Sequence, residues 1–116
     1  MSLSEFETRR ITKVVGDFVE AHRPPAHIRQ QVDLGFRFQN QSVEIFEIRP
    51  RFKGAPGEII EESVAKATFV KARGHWKAFW QRADLKWHPY PPAPIVGSIE
   101  EFLALVAEDK HACFFG

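Results

Sequence analysis

This sequence predicts an α+β domain: an N-terminal helix, an antiparallel meander of about five strands and a C-terminal helix, with both helices on one face of the sheet. Three observations carry the prediction. Capping-box spacings, Ser4 with Glu7 and Ser98 with Glu101, open two amphipathic stretches near the ends of the chain. The residues between them show period-two alternation and β-favouring side chains rather than helical periodicity. The apolar runs are joined by short polar or glycine-containing connections, which favour antiparallel neighbours.

The first helix is expected from Glu5 to His22. Its apolar stripe is Ile11, Val14, Val15 and Phe18, at the spacing of one buried helical face, extended by Val19 or His22. Pro24 and Pro25 end it, because proline has no backbone N–H and pushes its predecessor out of helical geometry. In the second helix, reaching to about Asp109, Ile99, Phe102, Leu103 and Val106 form the equivalent stripe.

The clearest strand alternates Val32, Leu34, Phe36 and Phe38 with Gln31, Asp33, Gly35 and Arg37. A polar turn at Gln39-Asn40-Gln41-Ser42 leads into a second strand, 43–49, whose apolar residues Val43, Ile45, Phe46 and Ile48 occupy both faces, as expected of a central strand. Two prolines and two glycines mark 50–57 as a loop anchored by Phe52. A third strand is expected within 59–70, a fourth over 75–81 and a fifth over 85–90, the last two turning at Ala83-Asp84. Pro89, Pro91, Pro92 and Pro94 then make a stiff connector. The apolar tail Cys113-Phe114-Phe115-Gly116 is expected to pack back on the domain.

At 116 residues the chain fits one domain and needs no staple. Cys113 is its one cysteine, so no intrachain disulfide forms, and the expectation is a cytoplasmic protein. No apolar stretch approaches the ~20 residues that span a bilayer, and the N-terminus does not read as a signal peptide. A formal net charge of +1 excludes a strong overall field for nucleic acid or an anionic membrane. The charge is unevenly placed. Lys66, Lys71, Arg73, Lys77, Arg82 and Lys86 face only Asp84 across 64–90, whereas the C-terminal segment is acidic.

Several landmarks run along the chain: Arg23-Pro24-Pro25 with Ile28-Arg29; Phe46-Glu47-Ile48-Arg49-Pro50 before Gly54-Ala55-Pro56-Gly57-Glu58; Val64-Ala65-Lys66; Trp76, Trp80, Trp87-His88 and Tyr90; and Phe114-Phe115-Gly116. In these the chain resembles, over nearly its full length, a small bacterial family catalogued only as a domain of unknown function, family three thousand and twenty-four. The resemblance implies a stand-alone domain. It brings no activity and no catalytic residue.

The residues offer four kinds of site. Trp76, Trp80 and Trp87 beside Lys77, Arg82 and Lys86 would suit a single nucleic-acid strand if the rings faced outward; alternation turns Trp76 and Trp80 to one face and Lys77 and Phe79 to the other, which favours rings packed inward. For a metal, the weak candidates are His75, His88, His111 and Cys113, and none forms a recognised ligand pair. The carboxylates Asp33, Glu44, Glu47, Glu58, Glu61, Glu62 and Asp84 show no spacing that demonstrates a catalytic pair.

The fourth is the basic loop, where Arg49, Arg51 and Lys53 surround Phe52 and would meet an acidic peptide or a phosphate. The bland reading pairs Arg49 with a neighbouring acid and folds Phe52 back as a plug. Taken together, the sequence reads as a binding or protein-interaction module using Arg49, Arg51, Phe52, Lys53, Arg82, Lys86 and His88, with no cofactor. The alternatives are a small hydrolase or metal-dependent enzyme, and a single-strand nucleic-acid binder. A protein partner or a second copy of the chain is the expected company, nucleic acid less so, and a membrane not at all.

Overall fold

A computed structural model describes residues 3–50 and 57–109. Helix α1 (Glu5–His22) is followed by strands β1 (Asp33–Gln39), β2 (Ser42–Pro50), β3 (Ile59–Val70), β4 (His75–Gln81), β5 (Trp87–Pro89) and β6 (Ile95–Val96), then helix α2 (Ile99–Glu108). The strands form one antiparallel sheet in the order β1-β2-β3-β4-β5, with β6 pairing β4 beside β5. The α+β architecture expected from the sequence is the one observed.

Both helices begin as their capping boxes require. Ser4 Oγ accepts the Glu7 N–H and Ser98 Oγ accepts the Glu101 N–H, each at 3.1 Å, which satisfies a donor the helix cannot bond itself. Helix α1 stops at Arg23, whose extended backbone is the conformation a following proline demands.

The Arg23 guanidinium then reaches Asp33 through two bonds of 2.9 and 2.8 Å, tying the helix end to the start of β1. That pair, with the Leu34 N–H also donating to Asp33, holds the Asp33 carboxyl below its ordinary value of 3.8. A depressed carboxyl stabilises the fold above its unfolded value, and the contribution disappears as pH falls through the lower folded value. Asp33→Asn should therefore flatten the acid limb of stability below about pH 4, read by thermal melts at stepped pH. A limb as steep as that of the parent would exclude this pair as its source.

The β1–β2 hairpin turns on Asn40 and Gln41, with φ of 50° and 68°, the double left-handed turn whose twist matches antiparallel strands. Register is regular from β1 to β2. Between β2 and β3 it slips once: Ile45 faces Ala65 and Phe46 faces Ser63, leaving Val64 as the extra residue of a bulge.

Antiparallel partners share a face, so the register sorts the side chains into two sets. On the helix side lie Leu34, Phe36, Val43, Ile45, Ala65, Ala67, Trp76, Ala78 and Val96, packed with Ile11, Val15 and Val19 of α1 and Ile99, Phe102, Leu103 and Val106 of α2. Ala65, Ala67 and Ala78 are fully buried in the middle strands, so the sheet offers a low floor where α2 meets β3 and β4. Gly16 of α1 serves the same end at β1, with the Phe36 ring 3.6 Å from where a Cβ would stand.

Three expectations need correction. The proline segment is more than a connector: the Tyr90 N–H donates to the Ala78 carbonyl, the Ala78 N–H donates to the Pro94 carbonyl, and β6 continues the pairing along β4. Two residues of strand carry no periodicity, which is why the alternation did not mark β6. The three tryptophans also do not share one face. Trp76 and Trp80 point to the core, but Trp87 faces Gln81 across the β4–β5 ladder and lies on the other side. Strand β5 is also shorter than expected, because Leu85, at φ 62°, belongs to the turn.

Candidate functional site

The face of the sheet away from the helices has no described element laid across it, and its side chains form a patterned surface. One transverse row follows directly from the register: Arg37 on β1, Glu44 on β2, Lys66 on β3, Phe79 on β4 and Pro89 on β5. Directly opposed side chains interact most strongly in a sheet, so this row sets the electrostatics of the surface.

Its first half is internally neutralised. Arg37 donates to Glu61 at 2.6 Å and stands 4.0 Å from Glu44, while Ser63 Oγ donates to Glu44 at 2.9 Å. The Glu61 bond raises the Arg37 pKa further above its ordinary value. The same guanidinium lies 4.5 Å over the Phe46 ring. Phe46 is buried yet sits outside the core cluster: it fills the gap left by Gly35 and is roofed by Arg37.

The second half is cationic and apolar. Lys66 has Glu44 opposite it in register but forms no ion pair with a described residue. Its ammonium instead stands 6.0 Å from the Phe79 ring centre and 5.7 Å from that of Trp87. Beside it, Lys77, Phe79, Pro89, Pro94 and Ile95 line a groove of about 210 Å³, and Ile95 is 54% exposed. Neither Lys66 nor Lys77 is ion-paired among the described residues, and the side chains lining the groove include no acid.

The residues singled out in the sequence fall in different places. Arg49 is held by Glu47 at 3.2 Å and Glu62 at 3.5 Å, the pairing expected of its bland reading. Arg82, Lys86 and His88 gather at the β4–β5 turn: Arg82 lies 5.7 Å over the Trp80 ring, Asp84 accepts the Lys86 backbone N–H, and His88 Nε2 contacts Asp84 at 2.9 Å. Those two bonds, the backbone one first, hold the Asp84 carboxyl below its ordinary value. Arg51, Phe52, Lys53, His111 and Cys113 lie outside the described residues, as does the apolar tail.

His75 and His88 belong to opposite faces of the sheet, since His88 faces Trp80 while His75 shares the face of Lys77. Among the described residues no group of three or more His, Cys, Asp or Glu side chains is placed to hold a metal ion. Sequence reasoning passed over Lys66, Phe79, Trp87 and Ile95 as a set. They come from four strands, and only the register brings them together.

A family model described as a domain of unknown function, DUF3024, matches residues 3–116. No curated protein and no solved structure matches the chain.

Proposed function

Because the chain belongs to the DUF3024 family, whose description carries no activity, we infer its role from its own surface: a binding module whose contact face is the side of the sheet away from the helices, around Lys66, Phe79 and Trp87. The partner class that fits is an acidic protein segment with an aliphatic or aromatic anchor. One observation carries this reading. Lys77 lines an apolar groove whose lining includes no carboxylate, and Lys66 stands beside the Phe79 ring at its edge, so a segment carrying both acid and apolar side chains complements it in charge and in shape.

A single nucleic-acid strand is a weaker match. Of the three indoles Trp76 is 4% exposed and Trp80 packs on the core with its Nε1 buried, which leaves Trp87 as the one indole on this face. Stacking platforms use successive exposed rings. A hydrolase has less support still, since the carboxylates of the face are engaged by Arg37 and Ser63 and the two described candidate histidines are separated by the sheet.

The test is an amide-shift titration with a peptide of alternating glutamate and leucine, set against a lysine–leucine peptide and an oligothymidylate. The acidic peptide should move the resonances of Lys66, Lys77, Phe79, Trp87 and Ile95. Added salt should weaken it. The paired substitution of Lys66→Glu and Lys77→Glu should reduce affinity by about tenfold or more, a loss of about 1.4 kcal/mol. Shifts caused by oligothymidylate alone would replace this reading with the nucleic-acid one. Silence from all three probes would remove the face as a contact surface.

A further inference from the structure

The two flanks of the sheet are built differently. Beyond β4, the outer flank is made by β5, β6 and the segment between them, which together carry Pro89, Pro91, Pro92 and Pro94. Proline cannot donate to a ladder, and its presence on an outer strand blocks further pairing. Strand β1, at the other flank, has seven residues, no proline and no described strand beyond it.

The hairpin fixes which of its backbone groups face outward. In a two-residue hairpin the flanking residues, here Gln39 and Ser42, exchange both bonds, and the exchange recurs at every second residue, at Arg37, Gly35 and Asp33. Leu34, Phe36 and Phe38 therefore turn their N–H and carbonyl groups away from β2. The Leu34 N–H is taken up by the Asp33 carboxylate at 2.8 Å, which agrees with that direction. No described group bonds the outward groups of Phe36.

We propose that β1 pairs with β1 of a second copy of this chain, antiparallel across a two-fold axis at Gly35. The charges select that register. Centring the axis on Gly35 sets Arg37 opposite Asp33 of the second copy, twice over, because a two-fold contact repeats itself. Each contact then extends an alternating chain of charge, from Glu61 through Arg37 to the second copy's Asp33 and its Arg23. An axis on Arg37 would oppose two guanidiniums. An axis on Phe36 would face Arg37 with a glycine. In the favoured register Leu34 and Phe36 exchange backbone bonds between copies, with Leu34 leaving its Asp33 carboxylate.

This contact is independent of the peptide-binding reading, since it uses the flank of the sheet and no residue of the Lys66 groove. Sedimentation equilibrium over a wide concentration range should show the mass rising from the 13.3 kDa of the chain to twice that value. In the dimer the Phe36 amide should be protected from hydrogen exchange, and protection should fade on dilution. Arg37→Glu, which would face Asp33 across the axis, should weaken association by about tenfold or more, with its circular dichroism and melt confirming a folded chain. A mass that stays at 13.3 kDa overturns the proposal. So does a dimer in which the Phe36 amide exchanges freely, because that dimer would use another surface, and so does a dimer indifferent to Arg37→Glu.

Discussion

Phe102→Ala is expected to cost about 3–5 kcal/mol and to lower Tm by roughly 10–20 °C, the largest effect of any single change considered for this chain. Phe102 is fully buried on α2, on the face that meets the sheet. Removing its ring deletes a large apolar surface from a core in which the strands that meet α2, β3 and β4, contribute the alanines Ala65, Ala67 and Ala78, which have little side chain to fill a void. Collapse would require α2 itself to sink. Its two ends oppose that, one fixed by the Ser98 cap and Glu100–Arg10 bridge, the other closed by the Asp109 N–H bonding the Leu105 carbonyl. Domains of this size have only about 5–15 kcal/mol in total, so the variant should sit near the limit of folding at body temperature. A denaturant melt measures it. A loss under about 1.5 kcal/mol would mean that the helix re-seats and that the alanine floor is not rigid.

Gly35→Val should destabilise by about 1–3 kcal/mol, although the site is a strand position where valine is ordinarily favoured. The reason is local. A Cβ at Gly35 would stand 2.9 Å from Phe46 Cε2 and 3.4 Å from Ile48 Cδ1. Phe46 would have to leave the niche in which it is 6% exposed, and the Arg37 guanidinium above it would lose its ring. Phe46→Ala in the same background should remove most of the added penalty, because a ring that is absent cannot clash. Additive losses in that double-mutant cycle would place the strain elsewhere.

Much of the fold was legible in the sequence because it depends on local chemistry. The two capping boxes gave helix starts that the structure repeats, and proline after Arg23 gave the end of α1. Alternation located β1 and β4. The run of apolar residues in β2 has a specific cause, since Val43 and Ile45 serve the core while Phe46 and Ile48 serve the small cluster around Gly35 on the opposite face.

The site was less legible, because it depends on register. The turns at 71–74 and 82–86 decide which residues of β3 and β5 meet those of β4, and neither register is written in the periodicity of one strand. Basic residues clustered in sequence therefore drew attention to Arg82 and Lys86 at the turn, whereas Lys66 became distinctive only through Phe79 and Trp87 from two other strands. Arg49 shows the converse: the sequence offered it both as a contact cation and as the partner of a neighbouring acid, and strand pairing brings Glu47 and Glu62 to it.

The prolines beyond β4 also limit what a concentrated solution of this protein can become. Growth of a sheet by end-to-end addition requires a receptive margin on each side of every molecule, and here one margin is refractory. Joining at the remaining margin consumes it. If copies pair through β1 as proposed, the described strands leave no second receptive margin, and the assembly closes at two.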